Sequence, residues 1–500
     1  MNEAPAAISL CGFGLTIRNG GRQQILLQSC DLEVPAGGFY LLTGRSGSGK
    51  STLLHLITGL WDPREARPTA TGELRVLGIP VHGLPRQSRG RVSAVLQDEG
   101  LLDDLSPRQN VELALEAAGR SPKLAMGLLS QAGLSNPPAE VAALSGGMRK
   151  RAAVARALAA EPELFLFDEP TAGLDARAAR DIAELLRDTH ARAKRTTVVI
   201  SHDLEAFAGM LDGVMVLDAE ERTLRLQEAD QELPERESPA PWTKPVPFED
   251  PALSGVKKLL LELGALVETF GEAVVRLPPS YPRVALRSAV HATLQSILFV
   301  SVAALLTGAL AVYFTLKNSP LSGAFVDELL TGAGKVLVAV VVPLVAGFFF
   351  TARMAAGAAA RVGNMKQHNA AAALQLMGMR PSDYLLTPLV WAFTVALPIV
   401  TLAAVAFASL SAAWMAWLVE GVSARRFGAN YFLEVSSKDL QMVLLKAAVS
   451  GFLVAVFAFH LAMSPKRSGR DVGSAVNLSI VVGMLTVLVV HGMATIWQFG

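Results

Sequence analysis

An octapeptide of glycines and small polar residues, Gly44-Arg45-Ser46-Gly47-Ser48-Gly49-Lys50-Ser51, joins the apolar run Leu41-Leu42-Thr43 to the helix-forming run Thr52-Leu53-Leu54-His55-Leu56-Ile57. The spacing GxxxxGK[ST] in that setting predicts a strand–loop–helix unit, and with it a parallel α/β sheet. The glycines let backbone N–H groups converge on phosphate oxygens, and the helix start adds positive potential. Lys50 is placed to reach β- and γ-phosphates and Ser51 to hold Mg2+. Gly44, Ser46, Gly47, Gly49 and Thr52 complete the nucleotide-binding set expected here.

Two further runs fit the same sheet. Leu164-Phe165-Leu166-Phe167 is continuously apolar, as a strand buried on both faces must be. Asp168, at its end, is placed to orient Mg2+ through water, and Glu169 is the candidate general base that polarises the attacking water. Val198-Val199-Ile200 reads as another buried strand, and His202 just beyond it is placed to reach a γ-phosphate.

These segments, in this order and with Leu144-Ser145-Gly146-Gly147 between them, resemble the ATP-hydrolysing core of the ABC transporter family over about residues 8–228. The resemblance implies that Gln97 is the Q-loop residue, sensing Mg2+ and touching the membrane domain. It implies that Ser145, Gly146 and Gly147 are the signature capping the γ-phosphate, and that Ala172-Gly173-Leu174-Asp175 is the D-loop. Met148 to Ala160 has strong helix propensity, so the signature is expected at a helix start. One departure is visible. Asn19 precedes Gly20-Gly21-Arg22 where many members carry an adenine-stacking aromatic, so stacking on the base is expected to be weak or absent; Phe13 suits a strand core better. In this family the signature of one ATPase faces the glycine loop of another. A homodimer holding two ATP molecules is therefore expected, with a heterodimer as the alternative.

Composition separates two halves. The chain is 51% hydrophobic and only 18% charged, rich for a soluble protein, and the excess lies beyond about residue 285. A net charge of +1 argues against a nucleic-acid partner. Cys11 and Cys30 suggest neither a disulfide framework nor a zinc site. The first residues lack the pattern of a secretory signal, so the ATPase half is expected in the cytosol. Five apolar stretches, about 289–314, 334–352, 384–418, 441–463 and 473–497, each meet the length needed to span hydrocarbon. The third is long enough to tilt or to hold a hairpin, and Pro388 and Pro398 are candidate kinks. Arg353, Arg361, Lys366, Arg380, Lys466, Arg467 and Arg470 then fall on or near the cytosolic side, in keeping with the positive-inside rule; Arg425 and Arg426, in an outer loop, dilute that signal. The proline-rich stretch 229–252 reads as a linker, either a solvated spacer or a tether to a neighbouring ATPase. Val256 to Arg276 has one apolar and one polar side, suiting a helix on the cytosolic membrane face or one lying on the ATPase. Between spans two and three, 363–379 is expected to hold a short helix that seats near Gln97 and carries motion across.

A second resemblance rests on Pro343-Leu344-Val345-Ala346-Gly347, Ala352-Arg353-Met354-Ala355-Ala356, Leu374-Gln375-Leu376-Met377-Gly378-Met379 and Asp471-Val472-Gly473-Ser474-Ala475-Val476-Asn477. With the Pro388–Pro398 segment they look like the MlaE-type permease family, over about 253–498. The signature stretch through Arg151 and the Pro245-Val246-Pro247-Phe248 segment are similar to that system's partner ATPase. Arg361 and Asn369 stand where the family usually has acidic residues. The expected organisation is an α/β ABC ATPase (1–228), a linker (229–252), an interfacial helix (253–282) and an all-α polytopic permease (283–500), here fused where the family normally uses separate chains. The resemblance implies ATP-driven movement of phospholipid or similar lipid between a bacterial inner membrane and an extracytoplasmic MCE-domain partner. Tyr313 and Phe314 are candidate cavity-lining residues or belt aromatics, and Arg353 either attracts a head-group phosphate or snorkels to the interface. An exporter of another hydrophobic substrate, and a membrane ATPase signalling to an outside partner, are the competing expectations.

Overall fold

The strand that carries the glycine loop, β3 (Phe39–Gly44), lies at the centre of a six-stranded sheet. The computed structural model describes residues 6–19, 22–45, 47–60, 68–81, 90–193, 195–229, 255–277, 279–317, 325–464 and 469–499. It divides into two units, Met1–Lys258 with His368–Arg380, and Leu259–Gln367 with Pro381–Gly500.

In the first unit, β1 (Ala6–Asn19), β2 (Arg22–Pro35), β4 (Thr69–Val76) and β5 (Ile79–Pro80) form an antiparallel sheet in the order β2-β1-β4-β5. The larger sheet adds β6 (Val92–Val95), β7 (Leu164–Asp168), β8 (Thr196–Ile200), β9 (Gly213–Asp218) and β10 (Thr223–Gln227) in the order β10-β9-β3-β8-β7-β6. All neighbours in it are parallel except β9 and β10. The unbroken apolar run of β7 has a direct cause. Leu164 and Leu166 join a core shared with the antiparallel sheet and helix α1 (Lys50–Thr58), whereas Phe165 and Phe167 join a second core on the opposite side. Neither face meets water, so alternation with polar residues is not tolerated. Phe13 is a strand-core residue at 2% exposure, as expected.

The second core is covered by α2 (Pro107–Ala117), α3 (Ala125–Gln131), α4 (Gly146–Leu158) and α5 (Ala176–Ala193). Helix α4 begins two residues before the Met148 start expected from propensity. Ser145 supplies the reason, accepting a hydrogen bond from the Met148 N–H at 3.3 Å as a helix cap.

The second unit opens on α6 (Gly255–Val275). Leu260, Leu263, Val267 and Phe270 on its apolar side are exposed. Thr269 Oγ1 lies 3.2 Å from His460 Nδ1, and Phe270 meets Phe452 edge-on. Among the described residues, five helical stretches are long and apolar enough to cross a membrane. They are α7 (Pro282–Lys317); α8 (Val326–Val336) running through a π-helical turn into α9 (Val342–Gln367); α11 (Thr387–Glu420), preceded by a π-helical turn at Ser382–Leu386; α13 (Ser437–Ala462); and α14 (Gly469–Phe499). The third stretch is one continuous helix and not a hairpin. Pro388 is the second residue of α11, just after the π-helical turn, and Pro398 lies inside the helix. The segment between spans three and four is not a plain loop: it carries the short α12 (Ala424–Tyr431), fastened to α8 at the head of span two by Arg426 to Asp327 at 2.9 and 3.1 Å.

Between spans two and three the chain leaves the helical unit. Asn369 takes a left-handed φ of +58°, and α10 (Ala370–Leu376) follows. Residues 368–380 belong to the first unit, where Leu376 enters the core below the antiparallel sheet and Met377 packs against the other core. Most of the linker, 230–254, lies outside the described residues, as does the Pro245–Phe248 resemblance.

Candidate active site

Sheet register brings the first group of expected residues together. Leu42 and Asp168 both pair with Ile200, so the glycine loop, the Asp168-Glu169 pair and His202 leave the sheet at one edge. That is the carboxyl edge of the parallel strands, where ligands bind in open α/β sheets.

The loop is built by its glycines. Gly49, with φ +107°, is the residue before α1, and a Cβ there would lie 2.7 Å from Leu26 Cδ1. Only glycine fits both the backbone angle and the space. No side chain caps α1, so its first N–H groups are left for a ligand. Gly47 is exposed and its surroundings are open. Lys50 Nζ donates to the loop's own carbonyls, Gly44 O at 2.7 Å and Arg45 O at 3.0 Å. Burial pushes the Lys50 ammonium below its usual range, against the pull of Glu169 and Asp168. Ser48 Oγ is buried without a hydrogen-bond partner. Ser51 is exposed, Thr52 half-buried, and Ser46 lies outside the described residues.

Asp168 is buried, and burial, aided by the charge of Glu169, pushes its carboxyl up to about 6; Lys50 and a hydrogen bond from Ser51 pull the other way. A buried carboxyl beside a hydroxyl, short of positive charge, is a donor set that suits a hard divalent cation. The residues therefore fit Mg2+. Glu169 holds a left-handed φ of +48°, its N–H bonded to Ile200 O at 2.8 Å. Its carboxylate lies within 3.1 Å of His202 Nδ1, and the His202 side chain is 74% exposed against 16% for Glu169. Glu169 and His202 are thus in contact, with the ring open to solvent.

Gln97 leaves the sheet at the same edge, since Val95 of β6 pairs with Phe167. Gln97 is exposed, two residues past β6. Ser145 and Gly146 are exposed at the start of α4, and a Cβ on Gly146 or Gly147 would meet nothing within 4 Å. Helix α4 packs in the core on one side of the larger sheet and α1 in the core on the other. Asp175 has a local duty, since its Oδ1 accepts from Ala178 N at 2.8 Å at the head of α5. The backbone of Asn19 ends β1, while its side chain and Gly20-Gly21 lie outside the described residues. In the helical unit, Tyr313 and Phe314 are exposed and meet edge-on, and the Arg353 guanidinium stands 5.8 Å from the Phe299 ring centre.

Three residues have site contacts that sequence reasoning passed over. Lys150 and Arg156 of α4 are buried, although charged side chains are rarely so. Gly100 carries φ +60°, and a Cβ on it would lie 2.8 Å from Asn369 O and 2.9 Å from Ala373 Cβ. The sequence signal for Gly100 was its place three residues after Gln97. For the buried cations there was none.

Residues 27–172 match the family model described as ABC transporter, and residues 285–497 match that of permease MlaE. The chain is an ABC ATPase domain fused to an MlaE permease domain. Curated relatives of the ATPase domain include the methionine import ATP-binding protein MetN of Streptomyces coelicolor, 35% identical over 42% of this chain and 63% of that protein. MetN of Rhizobium etli is 38% identical over 39% of this chain and 54% of that protein. The fused chain thus spans between about half and two thirds of the length of those relatives. A dimeric ATP-binding cassette in a post-hydrolysis state, bound to ADP and Pi, is 29% identical and aligns with 45% of this chain and 99% of its own, at a TM-score of 0.39. Neither likeness extends to the MlaE domain.

Proposed function

We propose that the fused chain is half of an ATP-driven lipid transporter, completed by a second copy. The observation that carries this reading is the seating of residues 368–380, flanked by two membrane-length helices, within the ATPase unit. Such a segment has a use only if events at the nucleotide must move the membrane helices.

In this reading the backbone of the glycine loop and Lys50 bind the β- and γ-phosphates, which would displace the Lys50 ammonium from the Gly44 and Arg45 carbonyls. Ser51, Asp168 and Gln97 would hold Mg2+, which neutralises phosphate charge when bound. Glu169 accepts the proton of the attacking water, and His202, already against the Glu169 carboxylate, reaches towards the γ-phosphate. The open start of α4 at Ser145, Gly146 and Gly147 presents N–H groups to the nucleotide of the second copy, and Asp175 stands near that junction. A two-fold axis closes two such sites with one self-complementary surface.

The MlaE domain supports a lipid as the cargo in this reading. Exposing two acyl chains of ordinary length to water costs about 25 kcal/mol at ~0.8 kcal/mol per CH2. A phospholipid therefore has to travel along apolar helices, and exposed Tyr313 and Phe314 offer such a surface. Arg353, held over Phe299, is placed to meet a phosphate at the inner half of span two. The cell compartment is the bacterial inner membrane with the ATPase in the cytoplasm, and an MCE-domain protein is the outside partner.

The test is the full chain purified in detergent, with mass spectrometry of co-purifying lipid and ATPase assays in phospholipid nanodiscs. Phospholipid recovered at about one per dimer, with lipid-dependent turnover, is expected. Absence of lipid together with lipid-independent turnover would favour a signalling ATPase instead. Glu169→Gln should keep ATP binding and lower turnover by at least about 100-fold; near-normal turnover would remove Glu169 from its role.

A further inference from the structure

The start of α4 faces outward, but the cations along its body point inward. Lys150 is 7% exposed and Arg156 3%. Lys150 Nζ donates to the main-chain carbonyl of Glu169 at 3.2 Å. Arg156 donates Nη2 to the carbonyl of Glu99 at 2.7 Å and Nη1 to the carbonyl of Gly100. Arg149 stands 3.7 Å from the Glu99 carboxylate. Burial pushes the Lys150 ammonium down and the Glu99 carboxyl up, and each charge partly restores the other. A buried ammonium is retained at such a place only with partners, and here they are the Glu169 backbone carbonyl and the charges of the Glu99 and Glu169 carboxylates.

What these cations grip is unusual. Glu99 and Glu169 both hold left-handed backbone angles, φ +50° and +48°, which residues with side chains seldom adopt. Such a conformation persists only where the surroundings hold it. Glu169 is held at both ends, its N–H by Ile200 of β8 and its C=O by Lys150 together with the Ala172 N–H, each at 3.2 Å. The loop at Glu99-Gly100 is held on one side by Arg156 and on the other by Asn369 and Ala373, packed against Gly100. One helix therefore touches both the seat of α10 and the backbone of the candidate base.

We propose that Lys150 is a positioning residue for hydrolysis: it fixes the peptide of Glu169, and through the Glu99–Lys150–Arg156 cluster the position of α10 sets the direction of the Glu169 carboxylate. This rests on the reading of Glu169 as the base. The route bypasses the nucleotide, since it runs from Gly100 through the body of α4 to the Glu169 carbonyl. A shift of α10 would move the base without first changing the phosphate cradle. Lys150 takes no part in proton transfer and touches no reacting atom.

The test uses the full chain in phospholipid nanodiscs, with wild type, Lys150→Met, Lys150→Gln, Lys150→Arg and Glu169→Gln compared for ATP binding, KM and kcat. The expected result for Lys150→Met is a fall in kcat of about tenfold with KM for ATP and ATP binding within about twofold. Lys150→Gln, which keeps a donor of similar reach without the charge, should fall in between, and Lys150→Arg should recover at least half of the wild-type rate. If Lys150→Met does not fold, Lys150→Gln decides by the same criteria. Retention of more than half the wild-type kcat in Lys150→Met or, failing that variant, in Lys150→Gln overturns the proposal, as does a loss of rate that arrives only with lost ATP binding. A Glu169→Gln protein that is inactive beside a normal Lys150→Met protein leaves Glu169 as base and removes Lys150 alone; an active Glu169→Gln protein removes both.

Discussion

Two helix starts in the ATPase domain, both assigned to phosphate in the proposed function, are built differently. Helix α1 begins after Gly49 with no side-chain cap, a lysine folded over its own loop and a buried hydroxyl, Ser48, without a partner. Helix α4 begins at Ser145, which caps its own helix and stands exposed beside two glycines with open surroundings. The first start leaves polar groups without side-chain partners among the described residues, with Gly49 packed against Leu26. The second is capped by its own serine, and its two glycines have open surroundings. A half-site that lacks only phosphate can be assembled within one chain, whereas a start that is capped but open needs an opposing surface. The contrast supports the proposed placement of the two motifs on opposite sides of a junction between copies.

The comparison can be broken most severely at Gly49. Gly49→Ala must place a methyl group against Leu26 at a backbone angle hostile to it. ATP affinity measured by calorimetry should fall by at least about tenfold, since each 1.4 kcal/mol of strain is a factor of ten. Unchanged affinity would mean that the loop geometry is not what binds phosphate. Ser145→Ala comes next. It removes a cap worth about 1 kcal/mol, which should lower the thermal midpoint by a few degrees. Binding of ATP to the monomeric state should be untouched while ATP-driven dimerisation weakens; an equal loss in both would erase the distinction between the two starts. The smallest effect is expected from Ser48→Ala. Relieving a buried unpaired hydroxyl should raise the stability of the nucleotide-free protein by up to about 1 kcal/mol while lowering ATP affinity slightly. A drop in nucleotide-free stability would show that Ser48 is already satisfied.

The sheet edge that assembles the site was legible because every part of it is local. A continuous apolar run ending in Asp168-Glu169, or in Ser201-His202, declares both the buried strand and the polar end that leaves it. The spans were legible for the same reason, since membrane length is a property of one segment. The single-helix state of 387–420 was less so, because Pro398 in an apolar run fits a kink, a turn or an intact helix equally well. Lys150 and Arg156 could not be read at all. Their partners are main-chain carbonyls of Glu169, Glu99 and Gly100, far along the chain, and a carbonyl leaves no mark in a sequence. Asp175 shows the opposite limit: the motif located it, but the hydrogen bond it makes is an ordinary helix cap.

The seat of α10 has a consequence for how the two halves are kept together. A stretch of permease polypeptide, Ala370–Leu376 with its flanks, supplies Leu376 and Met377 to the interior of the nucleotide-binding unit. The covalent join near residue 240 is then only one of several attachments, because the chain enters that unit a second time and leaves it again. Severing the join would still leave residues 368–380 of the second polypeptide within the nucleotide-binding unit, so that fusion here guarantees stoichiometry more than it provides adhesion.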